Sequence, residues 1–161
     1  MFSVISWKAT LQSVVALSTT EAEYMAITEA VKELPRNFPT LLLENNTKLG
    51  VLYARDNSFI GPMKLPTSCL LHLDTFDVSN NKLNGHISAN MSFAFPKLDY
   101  LNMSQNLLEG PIPSAVSDIP LRIVDLSHNF LSGGVPRDLT SIPTLFYFRL
   151  SNNKLKGKKL Y

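Results

Sequence analysis

Residues that could do chemistry are scattered through the chain, without the spacing that catalysis requires. The three histidines, His72, His86 and His128, lie singly and do not form the paired pattern of a metal site. Cys69 is the only cysteine, so the sequence predicts neither an internal disulfide framework nor a multi-cysteine zinc site. There is also no GxSxG, HExxH or phosphate-cradling glycine motif. We therefore predict no enzyme activity, no metal and no cofactor.

Asparagine is the polar residue whose spacing is regular. Asn57, Asn81, Asn106, Asn129 and Asn153 are separated by 24, 25, 23 and 24 residues. Each falls in the pattern L-x-x-L-x-L-x-x-N-x-L-x-G, whose L positions also accept Ile, Val, Met, Ala or an aromatic residue. Five such matches indicate an internal repeat. The matching segments are LGVLYARDNSFIG (49–61), LDTFDVSNNKLNG (73–85), LDYLNMSQNLLEG (98–110), LRIVDLSHNFLSG (121–133) and LFYFRLSNNKLKG (145–157).

The columns of this repeat predict the elements that position its residues. Apolar residues two positions apart, such as Phe76 and Val78, face one side of a short strand. One strand cannot bury that face alone, so successive strands must stack into a parallel sheet over a shared core. The asparagine after each strand can offer its amide to backbone groups of adjacent turns as donor and acceptor. We therefore expect structural roles for the five repeat asparagines.

Side chains that alternate with the core positions predict a solvent-facing surface. Successive residues of a strand point to opposite faces, so these side chains lie away from the core. Tyrosine and arginine are typical anchors at protein interfaces, which makes this surface a candidate for binding a partner. An ordinary solvated face is the alternative. The predicted surface consists of Tyr53, Arg55, Thr75, Asp77, Tyr100, Asn102, Ile123, Asp125, Tyr147 and Arg149.

The repeat resembles the leucine-rich repeat, in particular its plant extracellular subtype. LLEGPIP (107–113) and LSGGVP (131–136) continue it as L-x-G-x-I-P, and KLDYLNMSQNLLEGPIP (97–113) is similar to the ectodomains of plant receptor-like proteins. The resemblance covers about residues 34–161. It implies a solenoid of about five repeats whose concave parallel sheet binds a peptide, a protein ligand or a co-receptor. It also implies a plasma-membrane location with extracellular repeats, although the cysteine-bearing caps and membrane helix of that family are not found in this sequence.

A segment of different composition precedes the repeats. Residues 1–36 contain no asparagine, whereas residues 37–161 contain thirteen, which indicates two segments of different origin. VISWK and QSVVALS predict two short strands, and Ser18 with Glu21 forms a capping box that begins a helix. We therefore expect a β-β-α unit at residues 1–34 and the repeats at residues 35–161.

The string STTEAEYMA (18–26) resembles the ribonuclease H region of copia-type retrotransposon polyproteins, a resemblance that covers about residues 4–34. In that family, the glutamate at the position of Glu21 belongs to an acidic cluster that holds two Mg²⁺ ions for phosphodiester hydrolysis. The other cluster members are not found in this sequence, so Glu21 is interpreted as an isolated relic that serves as a capping residue. A metal-dependent nuclease is the alternative function, and a chimeric product without function is a third.

Charge and hydropathy exclude other classes of function. The 161 residues carry a net charge of +2, too small to predict binding to nucleic acid or to a membrane surface. No apolar run approaches the roughly 18 residues of a membrane-spanning helix, and no signal peptide is recognisable. Glycosylation sequons begin at Asn45, Asn90 and Asn102, and they are relevant if the chain is secreted. We predict an α/β protein that acts as a non-catalytic protein- or peptide-interaction module, of the kind used in plant cell-surface signalling or defence.

Overall fold

Short strands alternate between two parallel sheets. The computed structural model describes residues 3–6, 36–44 and 46–157. Each repeat supplies one strand before its asparagine and a second strand after it. The strands are β1 (Ser3–Ser6), β2 (Arg36–Asn37), β3 (Leu49–Tyr53), β4 (Phe59–Pro62), β5 (Thr75–Asp77), β6 (Lys82–His86), β7 (Tyr100–Asn102), β8 (Leu107–Gly110), β9 (Ile123–Asp125), β10 (Phe130–Gly134), β11 (Tyr147–Arg149) and β12 (Lys154–Lys156).

Neighbouring strands in both sheets are parallel and come from successive repeats. The first sheet has the order β1-β3-β5-β7-β9-β11, and the second has the order β2-β4-β6-β8-β10-β12. The predicted stacking of repeats into a parallel-sheet solenoid is therefore confirmed. The first sheet is the one predicted to be concave.

The core lies between the two sheets and runs along the array. Leu101 and Val124 of the first sheet and Leu131 of the second are completely buried. Towards the N-terminal end, Phe76 stacks on Phe95 with ring centroids 5.3 Å apart. Each fully buried side chain of this kind stabilises the fold by about 2 kcal/mol, so stacking of repeats provides most of the driving force.

Short helical segments return the chain from the second sheet to the first. They are the helices α1 (Leu41–Glu44) and α2 (Met91–Ala94) and the 3₁₀ turns Ser114–Asp118 and Asp138–Ser141. Each packs apolar side chains inward, as Val116 does with 1% exposure. Their buried apolar side chains therefore complete the core behind the first sheet.

Gly110 shows why the repeat ends in glycine. Its backbone has a φ of +74°, a left-handed conformation that residues with a β-carbon rarely adopt. The ring of His86 from the preceding repeat also packs against it, and a β-carbon on Gly110 would clash with the His86 Cδ2 atom. Both backbone conformation and close approach of successive repeats therefore favour glycine here.

The N-terminal segment contributes a strand to the repeat array. Strand β1 overlaps the first strand predicted for the β-β-α unit, and it pairs in parallel with β3. Ile5 pairs with Leu52, and Ser6 pairs with Tyr53. Within the described residues, the N-terminal segment and the first repeat thus share one sheet. The predicted second strand, the helix and Glu21 lie outside the described residues.

Candidate interaction surface on the first sheet

The strand register arranges the solvent-facing side chains of the first sheet in two rows. Equivalent residues of successive strands lie side by side because the strands pair without slippage from β3 to β11. The first row consists of Val51, Thr75, Tyr100, Ile123 and Tyr147. The second row consists of Tyr53, Asn102, Asp125 and Arg149, with Asp77 at the same register position.

The register corrects the predicted surface in the first repeat. Tyr53 and Arg55 were expected to align with Thr75 and Asp77. The structure instead pairs Val51 with Thr75 and Tyr53 with Asp77. The reason is that Leu52, one of the core residues of this repeat, aligns with Phe76, so the alternating face residues begin at Val51. Arg55 lies beyond the end of β3, where its guanidinium is 5.8 Å from the Tyr53 ring centroid.

Exposure differs widely along the two rows. Tyr53 is 37% exposed and Tyr147 is 42% exposed, whereas Thr75 and Tyr100 are half-buried. Asp77 differs most from expectation, because it is only 1% exposed. It was predicted as a partner contact, and its burial makes it part of the support beneath the surface instead.

A hydrogen-bonded pair at the end of each inner strand fixes the position of Asp77 and of its two equivalents. The Asp77 Oδ1 atom accepts hydrogen bonds from the Ser79 backbone N–H (3.0 Å) and from the Ser79 hydroxyl (2.6 Å). Asn102 accepts the same two bonds from Ser104, at 3.1 and 2.8 Å, and Asp125 accepts them from its own partner, Ser127, at 2.9 and 2.6 Å. These side chains are therefore held in fixed positions on the face.

The serine that accepts this structural role, two positions before the repeat asparagine, was not predicted from the sequence. A serine stands two positions before the repeat asparagine in four of the five repeats, and this regularity was the available signal. Ser79, Ser104 and Ser127 are each at most 8% exposed. In the last repeat, Arg149 occupies the position of Asp77, two residues before the serine. Its Nε atom donates to the Ser151 hydroxyl at 3.3 Å.

The repeat asparagines join successive turns at the edge of the core. The Asn106 Oδ1 atom accepts a hydrogen bond from the Leu83 N–H (3.0 Å), and its Nδ2 donates to the carbonyls of Val78 (2.9 Å) and Met103 (3.2 Å). Asn81, Asn129 and Asn153 make equivalent bonds to the repeat before each of them.

Asn57, in the first repeat, donates to carbonyls of its own strand end. Its Nδ2 atom donates to the Ala54 carbonyl at 3.1 Å and to the Arg55 carbonyl at 2.8 Å. Asn106 makes the same kind of bond to its own strand end, through the Met103 carbonyl.

Charge on the face is arranged around Tyr100. Burial raises the pKa of its hydroxyl, a hydrogen bond with Asn102 lowers it, and the carboxylates of Asp77 and Asp125 raise it further. Tyr100 is therefore a neutral hydrogen-bonding group at ordinary pH. Asp125 is 3.9 Å from the Arg149 guanidinium, so this end of the face carries both signs of charge.

The other candidate chemical groups are dispersed. Among the described residues, no three His, Cys, Asp or Glu side chains come together as a metal site. His86 packs against Gly110, and the exposed His128 ring lies within 2.9 Å of the Asn152 amide nitrogen. Cys69 is a half-buried thiol. A search of the described residues for a helix long and apolar enough to cross a membrane finds no example.

Similar proteins place this geometry in a known class of fold. Residues 97–119 and 120–142 match the leucine-rich-repeat family model. Cuscuta receptor 1 of Solanum lycopersicum is 67% identical over 128 residues, covering 78% of this chain and 11% of that protein. Receptor-like protein 13 of Arabidopsis thaliana is 36% identical over 126 residues, covering 76% of this chain and 11% of its own length. The chain thus spans about a tenth of the curated relatives that it matches.

Solved structures agree on the fold. The leucine-rich-repeat ectodomain of the Arabidopsis receptor kinase HAESA was solved in complex with an N-terminally extended IDA peptide hormone ligand. It has a TM-score of 0.70 and 28% identity, covering 94% of this chain and 24% of that one. The ectodomain of the Arabidopsis receptor kinase SOBIR1 has a TM-score of 0.69, covering 97% and 82%, and at 21% identity it supports the fold alone. The chain therefore has a leucine-rich-repeat fold like that of plant receptor ectodomains, and its sequence is similar to those of plant receptor-like proteins.

Proposed function

We propose that this chain is a non-catalytic module that binds a peptide or protein partner on the two rows of the first sheet. In its setting it would act as extracellular repeats of a plant receptor-like protein, at the plasma membrane, in signalling or defence. The observation that carries the proposal is the fixed array of tyrosine, asparagine and carboxylate side chains on one face. Such groups, held before a partner arrives, lose little conformational entropy on binding.

The dimensions of the face favour an extended peptide. Six parallel strands about 4.8 Å apart span about 24 Å, the length of about seven residues of extended chain. A standard protein–protein interface covers about 800 Å² on each partner, more than the roughly 300 Å² of this face. A peptide crossing the strands therefore uses the surface better than a globular domain does. The HAESA ectodomain, which was solved with a peptide hormone ligand, supports peptide binding by a protein of this fold.

Contacts on the face follow from its chemistry. Tyr100 offers a neutral hydroxyl and a half-buried ring, and Tyr147 offers an exposed ring in the same row two strands away. Arg149, whose side chain is 49% exposed, can pair with a carboxylate of the peptide. Aromatic and arginine side chains of this kind supply most of the binding energy in interfaces.

The test is a selection from a displayed library of random dodecapeptides on the immobilised full chain. We expect enriched peptides whose affinity falls about tenfold or more with Tyr100→Ala or Tyr147→Ala. The matched control is Phe93→Ala, because Phe93 is 63% exposed on helix α2, away from the two rows. Peptides that bind all three variants equally well, or that lose affinity with the control alone, would contradict the proposed surface.

A further inference from the structure

Two glycosylation sequons of the same pattern lie in very different surroundings. Asn90-Met91-Ser92 and Asn102-Met103-Ser104 both fit the acceptor motif, and sequence alone does not distinguish them. The first lies in the connection between β6 and β7, and the second begins at the last residue of β7. An attached glycan is bulky and must remain in solvent, so these surroundings decide which site a folded chain can carry.

Asn90 has the surroundings of an acceptor. It is exposed and immediately precedes helix α2, and its side chain makes no capping hydrogen bond to that helix. Its backbone N–H donates to the Ser88 hydroxyl at 3.2 Å, which fixes the turn without using the side-chain amide. Met91 anchors the adjoining helix in the core with no exposure. The Asn90 amide is thus presented to solvent from a fixed turn.

Asn102 has the opposite surroundings. It pairs with Asp77 on one side and Asp125 on the other, in the middle of the first sheet. Its Oδ1 atom accepts the Ser104 N–H (3.1 Å) and hydroxyl (2.8 Å), and its Nδ2 donates to the Tyr100 hydroxyl (3.4 Å). Ser104, the hydroxyl residue of the sequon, is only 6% exposed. A glycan on Asn102 would break this network and stand between strands about 4.8 Å away on either side.

We propose that Asn90 is an N-glycosylation site of the folded chain and that Asn102 is left unmodified. The Asn90 Nδ2 atom attacks the anomeric carbon of a lipid-linked oligosaccharide pyrophosphate. The new C–N bond replaces the C–O bond to the pyrophosphate, which leaves with the lipid, and the amide loses one proton. The glycan projects from the α2 side and leaves both rows of the first sheet free.

The experiment measures glycan occupancy residue by residue. Entry into the secretory pathway is the one step that rests on the proposed function, so the full chain is given a cleavable leader and expressed in plant cells. The secreted monomer is treated with peptide N-glycosidase in heavy-oxygen water, which converts each glycosylated asparagine to a mass-labelled aspartate. We expect label at Asn90 and ordinary asparagine at Asn102.

Matched variants make the result decisive. Asn90→Gln and Ser92→Ala remove the sequon at the exposed turn and should abolish the label there, whereas Asn102→Gln should leave the Asn90 label unchanged. Unlabelled Asn90, or labelled Asn102 in the monomeric fraction, overturns the inference. If the chain is not secreted, it is translated into microsomes and digested in the same way. An unlabelled Asn90 in that experiment also overturns the inference. Peptide binding by unglycosylated chain tests the proposed function separately.

Discussion

Leu126 and Leu150 occupy the same core column in successive repeats, but their burial differs. Leu126 is completely buried, whereas Leu150 in the last repeat is only half-buried. The asparagines show the same contrast, because Asn106 is 4% exposed and Asn153 is half-buried. Identical motif positions therefore acquire different environments, since each repeat depends on the neighbour that covers it.

The N-terminal end of the array behaves differently from the C-terminal end. Strand β1 matches no repeat, yet its pairing with β3 gives the first repeat a neighbour on that side. Leu49 and Leu52 of β3 are completely buried. A parallel strand that belongs to no repeat thus extends the sheet at this end.

The largest expected effect separates the interior from the last repeat. Leu126→Ala should lower the free energy of unfolding by about 4 kcal/mol, because it leaves a cavity in a fully packed site, whereas Leu150→Ala should lower it by about 2 kcal/mol. Urea denaturation followed by circular dichroism measures both. Leu107→Ala is the control, since Leu107 is 43% exposed and should change stability by less than about 0.5 kcal/mol. Equal losses at Leu126 and Leu150 would remove the distinction.

The asparagines should repeat this contrast, with a smaller loss of stability at each position than at the matching leucine. Asn106→Ala leaves the Leu83 N–H and several carbonyls without their partner, which should destabilise the fold by about 3 kcal/mol. Asn153→Ala affects equivalent groups that are nearer to solvent, and about 1 kcal/mol is expected. The measurement is again urea denaturation, and a larger loss for Asn153→Ala would refute the ranking.

Disruption of β1, at the N-terminal end of the array, should lower the free energy of unfolding only modestly. The double substitution Val4→Pro with Ile5→Pro removes two consecutive N–H donors from the strand. Successive N–H groups point to opposite edges of a strand, so one of the two removed donors is the one that faces β3. We expect a loss of about 1 kcal/mol in the free energy of unfolding, measured by thermal denaturation. The variant Val4→Thr retains strand propensity at the position that pairs with Val51, and it should unfold like the parent chain. A double-proline chain as stable as the parent would show that β1 contributes nothing.

Titration of Tyr100 is the smallest predicted effect. Its pKa is raised above the ordinary value of 10.0, so the folded chain holds this proton more tightly than the unfolded chain. Stability should therefore decline as the pH rises above about 10, and Tyr100→Phe should reduce that decline. Ultraviolet absorbance of tyrosinate, compared between parent and variant, measures the titration. Ionisation of Tyr100 at or below the ordinary value would contradict its placement near the two carboxylates.

Periodicity made much of the architecture predictable. The spacing of Asn81 and Asn106 identified the repeats, and the alternation of Phe76 and Val78 with polar residues identified the core and the face. These features depend on local pattern, which a single sequence contains in full.

Features that depend on neighbouring repeats were harder to predict. Burial of Asp77 results from its bonds to Ser79 and from flanking strands, and the alignment of Tyr53 with Asp77 is set by strand pairing. The half-burial of Leu150 reflects its position in the last repeat and not its residue type. Strand β1 matched no repeat, so no pattern indicated that it would join the first sheet.

Hydrogen exchange of four equivalent amides tests most directly whether stability comes from stacking of repeats. The N–H groups of Ala54, Val78, Met103 and Leu126 each donate to the next repeat, at 2.7, 2.9, 2.9 and 2.9 Å. The bond of Leu126 is to Arg149 in the last repeat, so it should exchange fastest, and those of Val78 and Met103 should exchange slowest. Equal exchange at Leu126 and Met103 would show that the last repeat is as stable as the interior and would contradict this account.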